Sequence, residues 1–136
     1  MKLSSKLLAA MLALISMVWT SSAYGKDVLE TVYTFGFSAS FNDSTVYFTD
    51  IQPLNTQVDG KTHFLKDRDQ YAYQLRDYFA NQGQAHRTCF IAFATTRKAI
   101  EKKYLKLRNR YTKNKHYNVK YVDSNAFSFK PIGKEE

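Results

Sequence analysis

The stretch Arg87-Thr88-Cys89-Phe90-Ile91-Ala92-Phe93-Ala94 decides how the chain is read, because seven of its eight residues are apolar or tolerate burial. A short apolar run of this kind, flanked by two helically patterned segments, reads as a buried strand. The expectation is that it forms the central strand of a sheet.

Immediately upstream, His63–Gln82 places Tyr71, Leu75, Tyr78 and Phe79 at offsets 0, 4, 7 and 8, on one face of a helix. Asp67 is a candidate N-cap with Gln70 three residues on, Asp69 lies in the first turn, and Gly83 suits a left-handed C-terminal cap. Downstream, Thr95 or Thr96 can cap a second helix that runs to about Lys113. Ile100, Tyr104, Leu107 and Tyr111 make a narrow apolar stripe on it, and Lys98, Lys102, Lys103, Lys106, Arg110 and Lys113 spread over the rest. This is a basic amphipathic helix.

Further out, Thr31–Phe41 alternates Tyr33, Phe35, Phe37, Ala39 and Phe41 with Thr34, Gly36, Ser38 and Ser40, the period of a half-buried strand. Asn42-Asp43-Ser44 supplies turn chemistry, and Thr45–Ile51 resumes the strand pattern, so the two runs form a hairpin. The face carrying Thr34, Gly36, Ser38 and Ser40 is expected to be wet, with Gly36 marking a bulge or a close backbone approach. Gln52–Thr62, with Pro53 and Asp59-Gly60, reads as a loop. His116–Tyr121 alternates again and gives a fourth strand, which Phe127-Ser128-Phe129 extends or pairs at an edge.

The element order is therefore β-β-α-β-α-β. The fold class is α+β, a two-layer sandwich of a mixed four-stranded sheet with two helices packed mainly on one face. The strand-helix-strand connection makes the Arg87–Ala94 strand and the fourth strand parallel neighbours. Against the two-layer arrangement stands the apolar character of Arg87–Ala94 on both faces. Either the sheet is sandwiched on both sides, or part of one face is an apolar patch that meets a partner.

The chain opens with Met1-Lys2-Leu3-Ser4-Ser5-Lys6, an apolar run Leu7–Trp19 and small residues Thr20–Ala23. That pattern is a secretory signal peptide, residues 1–23, with cleavage after 25 as the alternative. The thirteen residues of this mostly apolar run are fewer than a bilayer-spanning helix needs. The expected product is a soluble protein in the periplasm or outside the cell, with one globular domain over 26–130 and a flexible tail over 131–136. Cys89 is the single cysteine, so no intramolecular disulfide is possible, and an aromatic-rich core must take its place.

The 136-residue chain carries a net charge of +8, unevenly placed. Lys26–Gln82 holds five basic against eight acidic residues, whereas Gly83–Glu136 holds 13 against four. Export removes nucleic acid as the ordinary partner of such a basic half. Anionic lipid headgroups, acidic polysaccharide or an acidic protein remain.

No residue set reads as catalytic or as a metal or cofactor site. His63, His86 and His116 lack a metal-ligand neighbour at i+2 to i+4. Cys89 and His86 are three apart, which on a strand points them to opposite faces and makes Cys89 a small buried hydrophobe. Asn42-Asp43-Ser44 with Asp50 concentrates oxygen ligands, yet lacks the dense acidic loop of a calcium site and is what a hairpin turn requires. Arg68, Arg76 and Arg87 could converge on a carboxylate or phosphate, although Asp67, Asp69 and Asp77 are adjacent as ion-pair partners.

Three functional readings follow. The first is a small exported non-enzymatic binding protein that contacts an anionic partner through Arg68, Arg76, Arg87, Lys102, Lys103, Lys106 and Arg110. The second is a small periplasmic hydrolase built from Asp43, Asp50, His63 or His86 at the hairpin end. The third is a subunit that docks through a sheet face or edge, suggested by the abundant tyrosines.

Overall fold

The computed structural model describes residues 26–132. The signal-peptide reading and the last residues of the tail, 133–136, lie outside the described residues.

The elements follow the order β1 (Asp27–Ala39), β2 (Thr45–Thr49), β3 (Gln52–Asp59), α1 (Arg68–Asn81), β4 (Thr88–Ala94), α2 (Arg97–Thr112) and β5 (Asn118–Val122). The class is α+β, with one open, mixed, five-stranded sheet and two helices. The fifth strand comes from Gln52–Asp59, expected to be a loop. Pro53 masks its alternation, in which Gln52, Leu54, Thr56 and Val58 are all buried.

β1 is the central strand. It pairs antiparallel with β4 along one side and with β2 and β3 in succession along the other. Phe37 pairs with Phe48 and Thr34 with Gln52, so two residues of β1 face three of its partner. The extra residue is a bulge that bends β2 into β3. Gly36 stands opposite it, and its N–H donates to Thr49 Oγ1 at 2.7 Å.

β4, read as central from its sequence, is an edge strand, because the long hairpin occupies the middle of the sheet. β5 pairs parallel with β2 at the other edge. β4 and β5 run in the same direction but are separated by β1 and β2. They are not neighbours.

The helices lie on opposite faces of the sheet. Phe35 and Tyr104 meet with ring centroids 5.1 Å apart, as do Phe37 and Tyr111 at 4.9 Å, so α2 covers the odd-numbered face of β1. Its core contains Phe35, Phe37, Val46, Phe48, Ala94 and Ile100. α1 covers the even face, where Tyr71, Leu75 and Phe79 cluster with Val32, Leu54 and Ile91. The arrangement with both helices mainly on one face is therefore replaced by a sheet sandwiched on both sides, which explains the two-sided apolar character of β4.

Thr34 and Ser38, expected on a wet face, are fully buried beneath α1. Small side chains there let the helix come close: a Cβ on Gly36 would lie 2.6 Å from Leu75 Cδ2. Their hydroxyls are satisfied internally, Thr34 Oγ1 donating to the Gln52 carbonyl and Ser38 Oγ accepting from Arg87 Nε.

Local signals account for the helix ends. Thr96 Oγ1 accepts from Ala99 N–H, an N-cap for α2. Gly83 has φ 79 and follows α1 as a left-handed cap, with Gln84 N–H donating to the Phe79 carbonyl. Asp67 precedes α1 with φ 56, but its side chain caps nothing. Its carbonyl receives the Gln70 N–H instead.

After β5 the chain returns as an extended strap over the α1 face, not as a strand extension. Phe127 and Phe129 are buried there. Gln52 clamps the strap by donating to the Phe127 carbonyl and accepting from Phe129 N–H, and Gln74 bonds both backbone groups of Lys130. Ile132 N–H donates to Tyr71 OH at 2.9 Å, so Pro131–Ile132 is anchored, unlike the flexible tail expected from 131 onward.

Candidate functional site

The three arginines expected to converge have three separate tasks. Arg87 has a side chain only 3% exposed. Its guanidinium donates to Ser38 Oγ (2.9 Å), the Thr45 carbonyl (2.6 Å), Asp43 Oδ2 (3.4 Å) and Gln84 Oε1 (3.4 Å), and it lies over the Tyr47 ring. Four of its five donors are thereby used inside the protein. Arg68 donates to the Ile91 carbonyl on the outer side of β4 and lies over Phe93. Arg76 is exposed, stacked on Tyr73 and paired with Asp77 at 3.6 Å. The structure does not bring these groups together around a common anion.

Lys103 also has a partner. Its ammonium donates to the Phe93 carbonyl at 3.0 Å, from the opposite face to Arg68. Two cations thus cover successive outward carbonyls of edge strand β4, which blocks strand addition there.

The rest of the basic helix is different. At 100° per residue Lys98, Lys102, Lys106 and Lys113 point away from the buried stripe, and all are exposed. Among the described residues no ion pair reaches them or Arg110. The single acidic residue of α2, Glu101, pairs with Arg97 at 3.8 Å. Of the anion-contact residues read from sequence, Lys102, Lys106 and Arg110 are exposed without an ion pair among the described residues. Lys98 and Lys113 join them.

At the hairpin-tip end of the sheet, a groove of about 250 Å³ is lined by Ala39, Ser40, Phe41, Thr88, Tyr111 and Tyr117. Phe41 is fully exposed at 101%, and Tyr117 in the groove wall is partly exposed. Sequence alternation grouped Phe41 with the buried aromatics of β1. The strand ends at Ala39, however, and Phe41 falls in the turn beyond the cover of α2.

Of the carboxylates and histidines of the hydrolase reading, Asp43, Asp50 and His63 have other partners, and no three acidic, histidine or cysteine side chains cluster among the described residues. Asp43 Oδ1 accepts from Thr45 N–H and its Oδ2 faces Arg87; Asp50 Oδ2 accepts from Ser124 N–H. His63 Nδ1 lies 3.1 Å from Glu30, and His86 is exposed in a left-handed turn. Three further grooves, beside Gln74 and Ser128, beside Tyr47 and Asp123, and beside Phe64 and Phe93, contain none of these four residues. The Cys89 thiol is pushed above its ordinary pKa chiefly by burial, which keeps it protonated and a poor nucleophile.

Among the described residues no group of three or more His, Cys, Asp or Glu side chains could hold a metal ion. Nor is any of their helices long and apolar enough to cross a membrane. No family model, curated protein or solved structure matches the chain.

Proposed function

We propose that the protein is a small exported, non-enzymatic binding module whose basic C-terminal half contacts an anionic partner. The observation that supports this is the outward row Lys98, Lys102, Lys106 and Lys113. These cations are exposed and unpaired among the described residues, and no acidic residue occurs between Glu101 and Asp123. An ordinary solvated helix face interleaves charges of both signs, gaining a few tenths of a kcal/mol per i,i+4 pair. Here only Arg97–Glu101 is such a pair.

Export belongs to the proposal. It rests on the basic lead, apolar run and small residues within 1–25, and it restricts the partner to anions found beyond the cytoplasm. Retention of the exported chain on immobilised dextran sulfate tests the reading. It is expected to fall with rising salt and to fall further in the triple variant Lys98→Glu, Lys102→Glu, Lys106→Glu, with an unchanged circular dichroism spectrum. Salt-insensitive retention, or none, contradicts it.

A further inference from the structure

We infer that the anionic partner is a lipid bilayer surface and that Phe41 is the side chain that enters it. This rests on the anionic-contact reading and adds the chemistry of the partner.

Three connections meet at the hairpin-tip end: the β1–β2 turn, the start of β4 and the α2–β5 loop. Their meeting is recorded by the groove that Ser40, Phe41, Thr88, Tyr111 and Tyr117 share. Phe41 projects fully exposed from that end, where no other side chain covers it. Tyr111 and Tyr117, with ring centroids 4.8 Å apart, form the wall behind it, and tyrosine suits a headgroup boundary because its ring is apolar and its hydroxyl wet.

The charge at this end is mainly positive. Arg110 adjoins Tyr111, and Lys113 and Lys115 occupy the loop that leads to Tyr117. The one acid in the three connections, Asp43, is held by Arg87 and by its own turn. The opposite end mixes Asp27, Asp59 and Asp67 with Lys26, Lys61 and Lys66, so it has no such excess of positive charge. An anionic surface would therefore attract the molecule with Phe41 leading.

A bilayer fits this arrangement better than a folded acidic protein or a polysaccharide. A protruding ring on a convex turn needs a soft apolar phase to receive it, whereas a rigid protein needs a matched pocket. A sugar would stack on a flat platform, not on a lone projecting side chain. Basic residues with one apolar anchor give reversible surface attachment without a membrane span.

Vesicle sedimentation tests this, with phosphatidylcholine alone and phosphatidylcholine mixed with phosphatidylglycerol. The exported chain is expected to bind the mixed vesicles and not the neutral ones, and added salt is expected to release it. Phe41→Ser should weaken vesicle binding about ten-fold, since burial of a phenyl ring is lost, while retention on dextran sulfate stays unchanged. Lys113→Glu with Lys115→Glu should weaken both. Vesicle binding that Phe41→Ser leaves at full strength overturns the inference. So does retention on dextran sulfate without vesicle binding, which leaves the anionic-contact reading standing; loss of both contradicts both.

Discussion

Arg87 Nε donates to Ser38 Oγ across 2.9 Å, joining the residue before β4 to the middle of the sheet beneath α1. With its bonds to Thr45 and Asp43, this guanidinium ties the hairpin turn to β4. A buried cation so fully bonded is structural. Its removal takes the donor from the buried Ser38 hydroxyl and from the Thr45 carbonyl.

Arg87→Met, which keeps the length of the side chain, is therefore expected to cost about 3 kcal/mol in urea unfolding. Arg76→Ala, an exposed pair with Asp77, should stay within about 0.5 kcal/mol of the parent. Equal effects at the two positions would contradict the division of tasks among the arginines.

The contact between Gly36 and Leu75 fixes how near α1 lies to the sheet. Gly36→Ala places a Cβ 2.6 Å from Leu75 Cδ2 and should cost about 1–3 kcal/mol by overpacking. In the background of Leu75→Ala, itself destabilising by about 2–5 kcal/mol, most of that extra cost should vanish. Strict additivity would mean that the helix is not seated on Gly36.

Cys89 gives a prediction in pH. Burial favours the neutral thiol and raises its pKa. Alkylation by iodoacetamide in the native state should therefore accelerate only at a pH above that needed by the same cysteine in the urea-unfolded chain. A native rate that saturates at lower pH than the unfolded rate would show an activated thiolate instead.

How much of this was legible in the sequence depended on whether the signal was local. Both helices, the Thr96 cap, the Gly83 cap and the β1–β2 hairpin follow from spacing and turn residues in single segments. β3 was hidden because Pro53 interrupts a pattern that Gln52, Leu54, Thr56 and Val58 otherwise satisfy. The burial of Thr34 and Ser38 was invisible for another reason: small hydroxyl residues on one face read as wet until a helix is known to lie over them. The strap of Phe127–Ile132 depends on Gln52 and Gln74, far away in sequence. Charge asymmetry showed the basic face of α2, but not that Lys103 and Arg68 bond the β4 edge while Lys98, Lys102 and Lys106 are exposed without an ion pair among the described residues.

In the proposed function the outward face of α2, and not net charge alone, makes the anionic contact. The most direct measurement compares two variants of equal charge by retention on dextran sulfate at physiological ionic strength. One carries Lys98→Glu, Lys102→Glu and Lys106→Glu; the other carries Lys26→Glu, Arg76→Glu and Lys130→Glu, all exposed and away from that face. The first set is expected to abolish retention and the second to leave most of it. Equal loss from both sets would mean that net charge, and not the α2 face, governs retention.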